Sequence, residues 1–266
     1  MTPPKPKVSP RAPRSGRSER IVAFSCVHAP HHQQWAVEAA AKRIEDLRPD
    51  YVVCLGDLFE AASASVHPGE AEHSLLQEYE AAAGVLERLA GAAPKAERIW
   101  CLGNHDDNLQ ARDARRVPKD LRSAIAWGNS KWAPTFASWK QLPYSKGPEC
   151  VFRVGQALFW HGFDAGHSSD EMETLQMVNA MGGFSWALGV RGHTHRPLPP
   201  TQIMRTRQIP LPFFCANAGS LGPTKPEWAR RLDTSRWAPG LVVVDALPGN
   251  PFRMRGPCWE ARTELL

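Results

Sequence analysis

Short apolar runs recur along this chain, and each ends on a small cluster of polar residues. Ile21-Val22-Ala23-Phe24 runs into Ser25-Cys26-Val27-His28, Tyr51–Leu55 into Gly56-Asp57, and Ile99–Leu102 into Gly103-Asn104-His105-Asp106. Leu158-Phe159-Trp160 meets His161-Gly162, and Trp186-Ala187-Leu188 leads toward Gly192-His193-Thr194-His195. Runs of four or five apolar residues bounded by Gly and Pro read as buried strands, here Arg20–Cys26, Tyr51–Leu55 and Ile99–Leu102. Between them the spacing becomes helical. A helix is predicted over Gln33–Leu47, with Trp35, Val37, Ala40, Ala41, Ile44 and Leu47 as its apolar stripe and Pro49-Asp50 as its stop. A second is predicted over Glu72–Ala90, carrying Leu75, Leu76, Tyr79, Ala83, Leu86 and Leu89. The order βαβαβ implies parallel strands, right-handed crossovers and helices covering the sheet.

The second half reads differently. Val151–Val154 and Ala157–Trp160 flank Gly155-Gln156 as a hairpin, and Phe213–Ala216 and Leu241–Val244 read as further strands with few long helices between. This predicts a second, mixed sheet packed on the first. Residues 1–19 read as a basic Pro-rich tail and 20–246 as one domain. Residues 107–148 read as an insertion over the strand ends, and 247–266 as a C-terminal extension.

A chain of 266 residues with 42% hydrophobic and 22% charged content fits one large soluble domain. No apolar stretch approaches the roughly 20 residues that span a bilayer, and Ile21–Phe24 is too short for a signal peptide. Lys5, Lys7, Arg11, Arg14, Arg17 and Arg20 against Glu19 account for the whole net charge of +5. The basic balance therefore describes the tail rather than the body, and its Pro, Ser and Arg content predicts disorder. Either an anion-binding arm or a solubilising leader fits it. The six cysteines form no CxxC pair or disulfide-like framework, which suits a reducing, cytoplasmic setting without membrane attachment.

Familiar catalytic motifs are missing: no G-x-S-x-G elbow, no G-x-x-x-x-G-K-[ST] loop, and no G-x-G-x-x-G after the first strand. A metal site is better supported. Imidazole and carboxylate are ligands for Zn, Fe and Mn, and glycines at strand ends let the chain turn so that neighbouring side chains face one crevice. In this order the motifs resemble the calcineurin-like metallophosphoesterases, whose pattern is D-x-H, G-D-x-x, G-N-H-[DE], a lone His and G-H-x-H. Asn217-Ala218-Gly219-Ser220 also resembles the N-x-G-S turn of that family. The resemblance covers about residues 20–246. It implies an α/β fold, a four-layer αββα sandwich of two mixed sheets.

It further implies two divalent metal ions (Mn, Zn or Fe), roughly 3.5–4 Å apart, activating a shared water for in-line attack on phosphorus. Carried over by position, Cys26, His28 and His195 would bind the first ion, Asn104, His161 and His193 the second, and Asp57 would bridge them. His105 would face the phosphate, with Asp106 orienting its imidazole. Cys26 departs from the pattern, which has Asp there. A thiolate ligand is softer and favours Zn or Fe over Mn; the other reading is an inert buried Cys beside a weakened first site.

The remaining histidines read more plainly. His31, His32, His67 and His73 are expected at the surface, and Asp164 and His167 in a solvated loop. The 107–148 segment interleaves Trp127, Trp132 and Trp139 with many cations, among them Arg112, Arg115 and Arg116 as candidate substrate-binding residues. Such a mixture serves either as a phosphate-and-stacking surface or as a cap with buried Trp and solvated Arg. The expected function is hydrolysis of a phosphoester, a diester ahead of a monoester, with nucleotides or nucleic acid favoured as substrate. The alternative from another class is a phosphoesterase-fold binding or scaffold protein with a decayed metal site. The pattern carries no signal for an oligomeric state.

Overall fold

The computed structural model describes residues 16–62, 73–110, 126–166, 168–203, 212–226, 229, 232–249 and 256–266. Two mixed sheets pack face to face. The first has the order β11(Trp259–Leu265)-β10(Gly240–Ala246)-β1(Glu19–Phe24)-β2(Tyr51–Cys54)-β3(Glu97–Cys101)-β4(Lys140–Leu142), with β1 to β4 parallel and β10 and β11 antiparallel. The second has the order β5(Phe152–Val154)-β6(Ala157–Trp160)-β7(Ala187–Arg191)-β9(Phe213–Asn217)-β8(Leu198–Gln202), parallel through β6, β7 and β9.

Side-chain alternation divides the core into layers. Ile21, Ala23, Tyr51, Val53, Ile99 and Cys101 face the second sheet and meet Ala157, Phe159, Leu188 and Val190. Their neighbours Val22, Phe24, Val52, Cys54 and Trp100 face outward under helices α1(Gln34–Leu47) and α2(Leu75–Ala92). On the far side, Leu158 and Trp160 lie under α5(Ser169–Ala180) with Met177 and Val178. Strands buried on both faces explain why these runs are continuously apolar, and the αββα sandwich is the observed fold.

Helix α2 starts at a capping box: Ser74 accepts the N–H of Gln77, and the Gln77 side chain accepts the N–H of Ser74. Two expected stripe residues are exposed. Trp35 is 53% and Leu76 64% exposed, because each sits in the first turn, outside the shared α1–α2 face.

Several elements lay outside the sequence reading. Helix α5 buries Asp170, Glu173 and Thr174 alongside Met177 and Val178, so its inner face shows no apolar period. Strand β8 contains Pro199 and Pro200, tolerated because it is an edge strand. Strand β4 is a short edge. Strand β11 lies within residues 247–266 and pairs with β10 along its whole length.

The described part of 107–148 is also integral to the fold. After α3(Asn104–Gln110), a 3₁₀ turn at Trp127–Asn129 and helix α4(Ala133–Ala137) lead into β4. Trp127 and Trp139 are buried, Trp127 lying 5.2 Å from Trp100 and 5.5 Å from Phe59. Trp132 packs on the same core. Trp127 and Trp139 are core residues and form no stacking surface, whereas Trp132 is half-buried with the Lys131 ammonium 4.4 Å from its ring centroid. Arg112, Arg115 and Arg116 lie outside the described residues, as do His67, His167 and residues 1–15 of the tail. Arg17 and Arg20 belong to the body: Arg17 pairs with Asp50 at 2.5 Å and Arg20 with Asp245 at 2.7 Å. All six cysteines are free and buried. No helix among the described residues is long and apolar enough to cross a membrane.

Candidate functional site

The loops that follow β1, β2, β3, β6 and β7 meet at one edge of the sandwich, where the carboxyl ends of the parallel strands lie. The first two are joined by main-chain bonds. The N–H groups of Cys26 and His28 donate to the carbonyls of Gly56 and Asp57 at 2.9 and 3.0 Å. The loop after β7 is tied to the loop after β6 by Gly192 N–H to His161 O at 3.0 Å. Cys26, His28, Asp57, His193 and His195 all have positive φ, between 50° and 66°. Left-handed backbone at non-glycine residues is costly, and its concentration here marks a site whose geometry the surrounding fold enforces. Gly56 and Gly103 allow the closest approach, since a Cβ on Gly103 would strike the Asp57 carboxylate.

Two groups of donor atoms converge. In the first, His28 Nε2 lies 3.1 Å from His195 Nε2, and Cys26 is close enough to complete a metal-sized group with both. In the second, His161 Nε2 lies 3.2 Å from Asn104 Oδ1, 3.1 Å from His193 Nδ1 and 3.1 Å from Asp57 Oδ2. Asp57 stands between the groups. Its Oδ1 accepts the His105 N–H at 3.0 Å, while Oδ2 faces His161 and lies 4.0 Å from His28 Nε2. Cys26 also falls within a metal-sized group with Asp57 and His161.

Ring protons are already committed elsewhere. His161 donates Nδ1–H to Leu55 O at 2.6 Å, and His28 donates Nδ1–H to Glu60 Oε2 at 2.8 Å. His161 Nε2 then faces two acceptors, Asn104 Oδ1 and Asp57 Oδ2, an arrangement that calls for a cation or a ring proton between them. Burial, then the neighbouring His161, pushes His193 down to about 3. Burial and His28 hold His195 well below its ordinary value. Both are therefore neutral at physiological pH, the form that ligates metals. Burial would raise Asp57, but His161, His105 and His28 outweigh it and keep this carboxylate ionised. The Cys26 thiol is raised by burial and by the Asp57 charge, against hydrogen bonds from Ser25 and the His193 N–H, and a cation at the site would favour its thiolate. The donor set of neutral imidazole, carboxylate, amide oxygen and thiol fits divalent Zn, Fe or Mn.

His105, on the first turn of α3, lies beside His28 with ring centroids 4.8 Å apart. Burial lowers its basicity, yet Asp57 and Glu60 more than offset this, and the net shift is upward. One expectation is corrected. Asp106 does not orient His105. Its fully buried carboxylate accepts the N–H groups of Leu58 (2.9 Å), Phe59 (3.2 Å) and Gly103 (2.9 Å) and the indole N–H of Trp100 (3.1 Å). It therefore fixes the loops carrying Asp57 and Asn104. The imidazole is held by Glu60, whose carbonyl accepts His105 Nδ1–H at 2.5 Å.

Several further residues support the site. Asn217 donates to Asp170 Oδ1, Gly192 O and Thr194 Oγ1, and Ser220 donates to Cys26 O at 2.8 Å, so the turn after β9 clamps the first and last motifs. Arg191, fully buried, pairs with Glu173 at 3.1 Å and donates to Asp164 O, while Glu173 accepts the N–H groups of Phe163 and Asp164. This network fixes the loop after His161. Its members are spread over α5, β7 and β9, and only the Asn-Ala-Gly-Ser turn carried a sequence signal.

Among solved structures, the chain is similar to the phosphoesterase YfcE from E. coli, with 16% identity, 85% of this chain and 91% of that one covered, and a TM-score of 0.40. It is also similar to vacuolar protein sorting 29 from Cryptosporidium parvum, with 13% identity, 94% and 98% coverage and a TM-score of 0.42. A search of curated proteins finds no match. The family model for calcineurin-like phosphoesterase matches residues 19–197, a span that runs from β1 through the Gly192–His195 motif. The chain belongs to the calcineurin-like phosphoesterases, a family of metal-dependent phosphoester hydrolases.

Proposed function

We propose that this protein hydrolyses phosphodiesters with two divalent ions, one held by Cys26, His28 and His195 and the other by Asn104, His161 and His193, with Asp57 shared between them. The observation that carries this reading is the pair of converging donor groups around Asp57 Oδ2, with the outward ring protons of His28 and His161 already engaged. When bound, such ions neutralise a phosphoryl group and acidify water. The chain's own residues supply the remainder. Asp57 is anchored through Oδ1 so that Oδ2 stays aimed between the groups. His105 presents its Nε2 side, since Nδ1 is bound to the Glu60 carbonyl, and is suited to donate a proton to a leaving oxygen.

The preference for diesters and for nucleotides or nucleic acid rests on charge. Arg112, Arg115 and Arg116 come 7 to 11 residues after His105 in the sequence, and phosphate contacts from such a segment suit a polyanionic substrate. Burial of Trp127 and Trp139 removes their rings from that argument. The test is a panel of a chromogenic phosphodiester, a chromogenic phosphomonoester, cyclic nucleotides and single-stranded DNA, assayed with Mn, Zn and Fe. Turnover of diesters ahead of monoesters is expected. Fully metallated protein that turns over none of them would instead support a binding or scaffold protein.

A further inference from the structure

We infer that Glu60 is a positioning residue that sets the tautomer and aim of His28, and thereby the affinity of the first metal group without itself being a ligand. The inference rests on the dimetal reading above. It starts from Glu60 being 8% exposed in a loop with no apolar reason to bury a carboxylate. Its Oε2 accepts His28 Nδ1–H at 2.8 Å. The other ring nitrogen, Nε2, is directed at His195 and Asp57. A carboxylate behind a ligating imidazole fixes ring orientation and raises its basicity, and removal of such a partner typically costs about 10–100-fold in metal affinity.

Glu60 is itself rigidly placed. Its N–H donates to Ala29 O at 3.1 Å, and the next residue, Ala61, donates its N–H to the buried Glu78 carboxylate at 2.7 Å. Its own carbonyl holds His105. One residue thus holds two imidazoles, His28 through its side chain and His105 through its main chain. Only the first bond is removed by substitution at position 60, which separates the two effects.

The experiment is titration of metal-free wild-type, Glu60→Gln and Glu60→Ala proteins with Co(II), following visible absorption and stoichiometry, with melting of each metal-free protein alongside. Two binding steps are expected in all three. Glu60→Ala should weaken one step by about 10–100-fold. Glu60→Gln, which keeps an acceptor for Nδ1–H, should weaken it less, and the other step should be unchanged. Equal affinities in all three proteins would overturn the inference. So would loss of one ion from Glu60→Gln, which would make Glu60 a ligand, or equal weakening of both steps with lower melting, which would make its role structural. Wild-type protein that binds no cobalt would remove the dimetal reading and this inference together, an outcome distinct from the others.

Discussion

The Sγ of Cys26 accepts the backbone N–H of His193 at 3.2 Å, so the first and last motifs of the site touch directly. One follows β1 in the first sheet and the other follows β7 in the second. The contact sits where the two sheets bring their strand ends together, and it places a soft donor beside both metal-sized groups.

Substitution of Cys26 should therefore change which metal is retained. Cys26→Ala is expected to lower occupancy of the first group and to abolish near-ultraviolet sulfur-to-cobalt absorption in Co(II)-loaded protein. Cys26→Asp should restore stoichiometry while moving preference from Zn or Fe toward Mn, since oxygen is the harder ligand. Metal analysis of purified proteins checks both; unchanged content in Cys26→Ala would mean that the thiol is a bystander.

His105→Ala should separate chemistry from metal binding. Its ring falls within a metal-sized group with His28 and Glu60 but outside the two groups that share Asp57, so stoichiometry should hold while kcat falls by about 10²–10⁴-fold, the usual contribution of a positioned acid or base. Steady-state kinetics with parallel metal analysis reads this directly. An unchanged kcat would remove His105 from the mechanism.

Asp106→Asn should act on stability. Burial, together with the Asp57 charge, pushes the Asp106 carboxyl up to about 6, but its oxygens still satisfy three backbone N–H groups and the Trp100 indole. An amide places its NH₂ against those donors, at a cost of about 3 kcal/mol. Urea unfolding of the metal-free protein measures it, and a wild-type midpoint would contradict the assigned role.

Glu78 predicts a pH dependence. Burial, with Glu60 adding to it, pushes this carboxyl from its ordinary 4.5 up to about 7 against the opposing Ala61 N–H. Folding then takes up a proton between those values. Glu78's contribution to stability is greatest below pH 4.5, falls as pH rises to about 7, and is level above. The change is at most about 3 kcal/mol. Glu78→Gln should flatten that part of the stability profile, as followed by urea unfolding from pH 4 to 8.

Much of the fold was legible because strands buried on both faces must be apolar throughout. Ile21–Phe24, Tyr51–Leu55 and Ile99–Leu102 announced themselves, and the polar residues at their ends stood out against them. The elements that stayed hidden each lack that contrast. Helix α5 turns Asp170, Glu173 and Thr174 inward to partner Arg191 and the site loops, so its buried face is polar. Strands β4 and β8 are edges, where one side needs no apolar residue.

The site divides in the same way. Sequence alone picked out the candidate side chains, because His, Asp, Asn and Cys immediately after apolar runs must emerge at strand ends. Tertiary structure alone decided what those side chains do to one another. Asp106 turned from an expected partner of His105 into an anchor for the Asp57 loop, and Glu60, in no motif, became the residue that holds both His28 and His105. The physical reason is that hydrogen-bond partners are set by distances of about 3 Å between loops far apart in sequence. No local pattern of residues encodes those distances; the packing of one sheet against the other does.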